Sequence, residues 1–138
     1  MSAKSKILIV DDDTVVRLAY ERSLSGTNCN VAAVWSGEEA LRAMEREPFD
    51  LVLLDLRMPG TDGISVLRHI KRCWPDSEVI IITGYATVES AKEAIRLGAY
   101  DYLTKPVGPA DVVNAATNAI HHKRWALRRE PAESNTVH

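Results

Sequence analysis

Ile7-Leu8-Ile9-Val10-Asp11-Asp12-Asp13 is an apolar run that stops abruptly on three consecutive carboxylates. A β-branched run of this length is too short for a helix and reads as a strand buried on both faces. Four further runs repeat the pattern: Val31–Val34, Leu51–Leu54, Val79–Ile82 and Tyr100–Leu103. The segments between them have helix length. Glu38–Arg46 puts Ala40, Leu41 and Met44 on one face behind a Ser36-x-x-Glu39 capping box, and Gly26 and Gly98 stand where helices would end. Gly108-Pro109 opens a last helix through about Arg129. Strands apolar on both faces, each followed by a helix, make a parallel sheet covered on both sides by right-handed crossovers. The predicted fold is therefore α/β and doubly wound, with five βα units in three layers.

The totals agree with one such domain. A chain of 138 residues can bury one core, and 46% apolar with 26% charged residues is ordinary globular composition. We expect the domain over 1–129 and a disordered tail over 130–138. A formal net charge of -2 gives no whole-molecule attraction to nucleic acid or to an anionic membrane, so neither is expected as a direct partner. Cys29 and Cys73 have neither disulfide nor zinc-site spacing. No apolar stretch has the length of a signal peptide or a membrane span, and the expected location is the cytoplasm.

In a doubly wound sheet, ligands sit at the carboxyl ends of the strands. Those ends carry Asp11 and Asp12 after the first strand, Asp55 after the third, Thr83 after the fourth and Lys105 just past the fifth. Each alone could cap a helix or face water. Together they crowd three acids, a hydroxyl and an amine onto one edge. Clustered carboxylates repel one another unless a cation sits among them, and magnesium prefers hard oxygen ligands and accepts phosphate oxygens. A carboxylate can attack phosphorus to form an acyl phosphate.

Ile-Leu-Ile-Val-Asp11-Asp12-Asp13, Leu-Val-Leu-Leu-Asp55-Leu-Arg-Met-Pro59-Gly, Ile-Ile-Ile-Thr83-Gly and Tyr102-Leu-Thr-Lys105-Pro106 together resemble the receiver domain of two-component response regulators. The resemblance covers roughly Lys6 to Ile120 and implies a flavodoxin-like sheet in the order 2-1-3-4-5. It implies that Asp55 accepts a phosphoryl group from the phosphohistidine of a sensor histidine kinase or phosphotransfer protein. Asp11, Asp12, Asp55 and the Arg57 backbone carbonyl would hold Mg2+, and Lys105 would contact the phosphoryl oxygens. Thr83 and Tyr102 resemble the switch pair, which repacks the face of the fourth helix, fifth strand and fifth helix. Lys105-Pro106 resembles a cis peptide of the family. Arg57 and Tyr85 stand where the family tunes dephosphorylation. Such a domain is a phosphoacceptor, not an enzyme acting on other substrates.

The opening stretch by itself also resembles the nucleophile motif of haloacid-dehalogenase-type phosphohydrolases, with Asp11 attacking and Asp13 as general acid. That alternative needs a further acidic strand end after the lysine, and the carboxylates there are only Asp111, Glu130 and Glu133. The wording from Thr83-Gly-Tyr-Ala to Leu-Gly-Ala-Tyr-Asp-Tyr-Leu resembles receivers joined to enhancer-binding transcription activators. The expected recipient of the signal is a downstream protein, an output domain outside this sequence, or a second phosphorylated copy. Tyr85, Ala86, Val88, Tyr100 and Tyr102 are either an apolar docking patch or core. The basic run His121-His-Lys-Arg-Trp-Ala-Leu-Arg-Arg129 is a dimerising or linker helix, a docking element or a frayed helix end.

Overall fold

The computed structural model describes residues 4–136, with side chains described as far as Ala126. In chain order the elements are β1 (Ser5–Val10), α1 (Thr14–Ser25), β2 (Cys29–Val34), α2 (Gly37–Arg46), β3 (Leu51–Leu54), β4 (Arg57–Met58), β5 (Thr61–Asp62), α3 (Gly63–Cys73), β6 (Glu78–Thr83), α4 (Val88–Arg96), β7 (Asp101–Thr104) and α5 (Pro109–Thr136). The main sheet has five parallel strands in the order β2-β1-β3-β6-β7. Because β4 and β5 form a separate antiparallel ribbon of two residues each, this is the expected 2-1-3-4-5 order.

The strands divide their side chains between two cores with the period of two that a pleated strand imposes. Leu8, Val10, Val52, Leu54, Val79 and Ile81 point to one side, against Ala40, Ala43 and Met44 of α2, Val66, Leu67 and Ile70 of α3, and Ala94 of α4. Ile7, Ile9, Leu51, Leu53, Ile80 and Ile82 point to the other, against Tyr20 and Leu24 of α1 and Val112, Ala116, Ala119 and Ile120 of α5. This explains why the strand sequences are continuously apolar. Truncating one of these side chains to alanine would cost about 2–5 kcal/mol.

The helix boundaries follow local chemistry with two departures from expectation. Ser36 caps α2 by accepting from Glu39 N at 3.1 Å, but the Glu39 carboxylate turns to Arg42 at 2.6 Å, so only half of the predicted capping box forms. Gly26 ends α1 with φ −79°, whereas Gly98 follows α4 with φ +107°, a left-handed conformation that suits glycine. At the other end of the chain, α5 continues past the expected boundary at 129 to Thr136, through most of the stretch expected to be a disordered tail. Val137 and His138 lie outside the described residues.

Three residues of the basic run, His122, Lys123 and Arg124, dock α5 within the chain. Lys123 Nζ donates to Asp50 Oδ1 at 2.5 Å, Arg124 donates to Ser5 Oγ at 2.8 Å, and His122 Nδ1 lies 2.6 Å from Glu78 Oε2. These three bonds tie α5 to the amino ends of β1, β3 and β6, the edge opposite the acidic strand ends. His122 also packs its ring against Tyr100. Cys29 and Cys73 are free thiols. Among the described residues no helix is long and apolar enough to cross a membrane.

Candidate functional site

Strand ends place the acids. Asp11 follows β1 and its N–H donates to Val34 O at 3.2 Å; Asp55 follows β3 and its N–H donates to Val10 O at 3.0 Å. The ladder thus runs one residue past each strand and fixes both carboxylates side by side. Asp11 is 2% exposed and Asp55 5%. Lys105 N donates to Thr83 O at 2.9 Å, which sets the lysine at the same edge. Its peptide bond to Pro106 is cis, as the resemblance implied.

The Lys105 ammonium bridges the two buried acids, at 2.7 Å from Asp11 Oδ2 and 2.9 Å from Asp55 Oδ2. The other oxygens accept from backbone: Asp11 Oδ1 from Asp13 N at 2.9 Å, and Asp55 Oδ1 from Arg57 N at 3.1 Å. Burial acts to lower the Lys105 pKa, but its bonds to both carboxylates outweigh this and hold it well above the ordinary lysine range. Burial raises the Asp11 pKa, and the bonds from Lys105 and Asp13 N offset that rise only in part.

Asp12 is exposed beside this pair. One carboxylate oxygen from each of Asp11, Asp12 and Asp55 falls within 4.8 Å of the others. Hard anionic oxygens at that spacing suit magnesium, which takes one or two carboxylates and keeps several waters. The surrounding cleft of about 430 Å³ is lined by Asp11, Asp12, Asp55, Arg57, Tyr85 and Lys105, among others.

Asp13 has a different task. Its Oδ1 accepts from Val15 N at 2.9 Å and Val16 N at 3.4 Å, so its carboxylate caps α1. A general-acid role for Asp13 is overturned by this placement, and the haloacid-dehalogenase alternative has no support. Thr83 is fully buried, and its Oγ1 accepts from Tyr85 N at 3.2 Å. Arg57 on β4 and Tyr85 in the loop after β6 both line the cleft and meet there, with the guanidinium carbon 4.1 Å from the ring centroid.

The chain belongs to the response regulator receiver domain family, whose pattern matches residues 7–117. It is 40% identical over 131 residues to the DNA-binding transcriptional regulator NtrC of Klebsiella pneumoniae, covering 94% of this chain and 28% of that protein. The transcriptional regulatory protein ZraR of Salmonella typhimurium is also 40% identical, with 95% and 30% covered. The chain thus spans less than a third of these curated relatives. Among solved structures, a CheY-like receiver domain protein of Methanospirillum hungatei superposes with a TM-score of 0.86 at 29% identity, covering 89% of this chain and 98% of that one. NtrX of Brucella abortus, solved with ADP, gives 0.84 at 31% identity, covering 94% of this chain and 30% of its own.

The receiver domain thus brings Asp11, Asp12, Asp55, Arg57, Tyr85 and Lys105 into one cleft, while Thr83 lies buried at the end of β6 and Tyr102 stands on β7. The supposed apolar patch divides. Tyr85, Ala86 and Val88 are exposed, but Tyr100 and Tyr102 pack against opposite cores. Sequence reasoning missed Arg17, whose Nη1 donates to Asp11 O at 2.7 Å and braces the acidic turn. Its position four residues after the cap Asp13 was the available signal. Also missed was Tyr20, buried under the site, where its hydroxyl feels Lys105, Asp11 and Asp55; burial first of all raises its pKa.

Proposed function

We propose that this receiver takes a phosphoryl group onto Asp55 from a phosphohistidine of a sensor histidine kinase or phosphotransfer protein. The observation that carries the reading is the Lys105 ammonium held between Asp55 and Asp11, with Asp12 at the open side. An Asp55 carboxylate oxygen attacks phosphorus, the P–N bond breaks, and the imidazole leaves with the electron pair. Lys105 and the Arg57 N–H already orient the Asp55 carboxylate, and Lys105 offsets charge on the transferred oxygens. Asp11, Asp12, Asp55 and the Arg57 carbonyl would hold Mg2+, which supplies charge neutralisation of the phosphoryl oxygens.

Thr83 and Tyr102 would then transmit the change to the face of α4, β7 and α5, with Thr83 donating to the phosphoryl group. The recipient is an output domain beyond this sequence, a downstream protein or a second copy, and the relatives' names favour transcriptional regulation. The domain works in the cytoplasm and does not itself contact DNA. Arg57 and Tyr85 would shield the acyl phosphate from water.

Incubation with Mg2+ and acetyl phosphate, followed by mass spectrometry, tests the core of this reading. We expect a gain of one phosphoryl group that is labile to hydroxylamine and absent from Asp55→Asn. An adduct that persists in Asp55→Asn, or turnover of phosphate esters that depends on Asp11, overturns it.

A further inference from the structure

Ser90 occupies the third position of α4, and its single hydroxyl has two employers. Within the helix start it belongs to a reciprocal cap: Ser90 N donates to Thr87 Oγ1 at 3.0 Å, and Thr87 N donates to Ser90 Oγ at 3.2 Å. Thr87 Oγ1 also lies 2.9 Å from Ser90 Oγ, and the Ser90 hydroxyl lies 3.2 Å from the Thr87 carbonyl oxygen. Across the gap to β7, the same Ser90 Oγ lies 2.6 Å from the Tyr102 hydroxyl, the shortest of these contacts.

One hydroxyl offers one proton and two acceptor sites. Four partners therefore compete for three places. The Thr87 N–H can only donate and takes one acceptor site. If Ser90 gives its proton to the Thr87 carbonyl, the Thr87 and Tyr102 hydroxyls contest the remaining site. If it gives the proton to Tyr102, the Thr87 carbonyl keeps only its bond from Ala91 N at 3.0 Å. In either arrangement the bond to Tyr102 uses capacity that would otherwise close the first turn of α4.

We propose that Ser90 is a positioning residue that couples the orientation of Tyr102 to the first turn of α4. Its hydroxyl holds the tyrosine against the helix in the position seen here, and releases capacity to the cap when the tyrosine turns away. The coupling reaches the acidic cleft by a short route. Thr83, whose Oγ1 accepts from Tyr85 N, is separated from the cap Thr87 by Gly84, Tyr85 and Ala86 alone. A displacement of Thr83 has only these three residues of chain between it and the cap whose hydroxyl Tyr102 shares. The inference rests on the reading of Tyr102 as a switch residue and adds the contact through which α4 senses it.

The test uses the full chain labelled with fluorotyrosine, with the Tyr102 signal assigned by its loss in Tyr102→Phe. We expect Ser90→Ala to move the Tyr102 fluorine resonance toward its position in wild type bound to Mg2+ and beryllofluoride, and Ser90→Thr, which keeps the hydroxyl, to leave it at the wild-type position. In the reverse direction, Tyr102→Phe should slow amide exchange at Ser90 by about 3- to 10-fold, because the Thr87 hydroxyl that accepts from Ser90 N then bonds to Ser90 Oγ without competition. A Tyr102 resonance unchanged in Ser90→Ala, or moved equally in Ser90→Thr, overturns the coupling whatever happens to α4. If beryllofluoride moves Tyr102 in no form while Ser90→Ala does, the coupling stands and the switch reading fails. If beryllofluoride moves it and Ser90→Ala does not, the switch reading stands and the coupling fails.

Discussion

Lys105 Nζ lies 2.7 Å from Asp11 Oδ2, joining residues 94 positions apart at the carboxyl edge of the sheet. The same ammonium also serves Asp55, so one lysine is the counter-charge for two buried acids. A metal cation at the acidic cluster would do part of the same work. Lys105→Ala should therefore lower stability by about 2 kcal/mol without metal, less than a fully buried pair because the lysine is partly exposed. It should also tighten Mg2+ binding by about 10-fold, since an unscreened negative site attracts the cation more strongly. Thermal melts with and without Mg2+ measure both, because binding raises the melting temperature with ligand concentration. Asp12→Asn should remove most of the Mg2+ effect. A smaller Mg2+ shift in Lys105→Ala than in wild type would contradict this account.

Gly63 has no room for a side chain. A Cβ there would lie 2.4 Å from Leu56 Cα and 2.5 Å from Leu56 O, both backbone atoms. Gly63 N also donates to Leu56 O at 3.1 Å, closing the loop that carries Arg57. We expect Gly63→Ala to destabilise by about 3 kcal/mol, through an overpacked contact that cannot relax by rotating a side chain. Urea unfolding checks this. Because the same loop orients Asp55 through Arg57 N, acetyl phosphate labelling should fall as well.

The division between what the sequence disclosed and what it hid follows from the range of each interaction. Ile7 to Val10 and their counterparts reported strands because burial on both faces leaves a local signature. Asp11, Asp55 and Lys105 reported a shared edge because a parallel sheet brings all carboxyl ends together. Ser90 and Arg17 gave only weak signals, since a serine or an arginine on a helix is ordinary until its partner is known. Glu39 misled for the opposite reason: its capping box was legible, but Arg42 one turn ahead competes for the carboxylate. The Lys123 and Asp50 pair, 73 positions apart, has no sequence pattern at all.

That pair makes a prediction with a defined sign. Burial acts to raise the Asp50 pKa, but the bonds from Lys123 and from Lys6 N prevail and hold it below the ordinary carboxylate value. A depressed folded-state pKa contributes stability above the unfolded value of about 3.9, and that stability is lost as pH falls through the folded value. Lys123→Ala should cost about 1 kcal/mol at neutral pH, roughly 4 °C in melting temperature. The gap to wild type should narrow as pH falls below about 4. A gap of constant size down to acid pH would assign the effect to lost packing on α5 instead.

Arg57 and Tyr85 meet at the cleft that Asp55 also lines, and Tyr85 remains 61% exposed, so under the proposed function the pair would act as a roof that is itself open to solvent. A cation over an aromatic face at an exposed site is worth about 0.5–1 kcal/mol, enough to favour the closed arrangement without locking it. Attack on an acyl phosphate needs a water in line with the bond to Asp55, and a closed roof would exclude such a water for most of the time. Removing either partner should therefore shorten the life of the phosphorylated form, and the double variant should do little more than each single one, because both act through one contact. A loss of about 1 kcal/mol of roof closure corresponds to roughly a 5-fold faster hydrolysis. Decay of the acyl phosphate after removal of acetyl phosphate, followed by mass in Arg57→Ala, Tyr85→Ala and the double variant, measures this. Half-lives equal to or longer than wild type would show that the pair does not guard the phosphate, and independent, additive effects would show that the two side chains act separately.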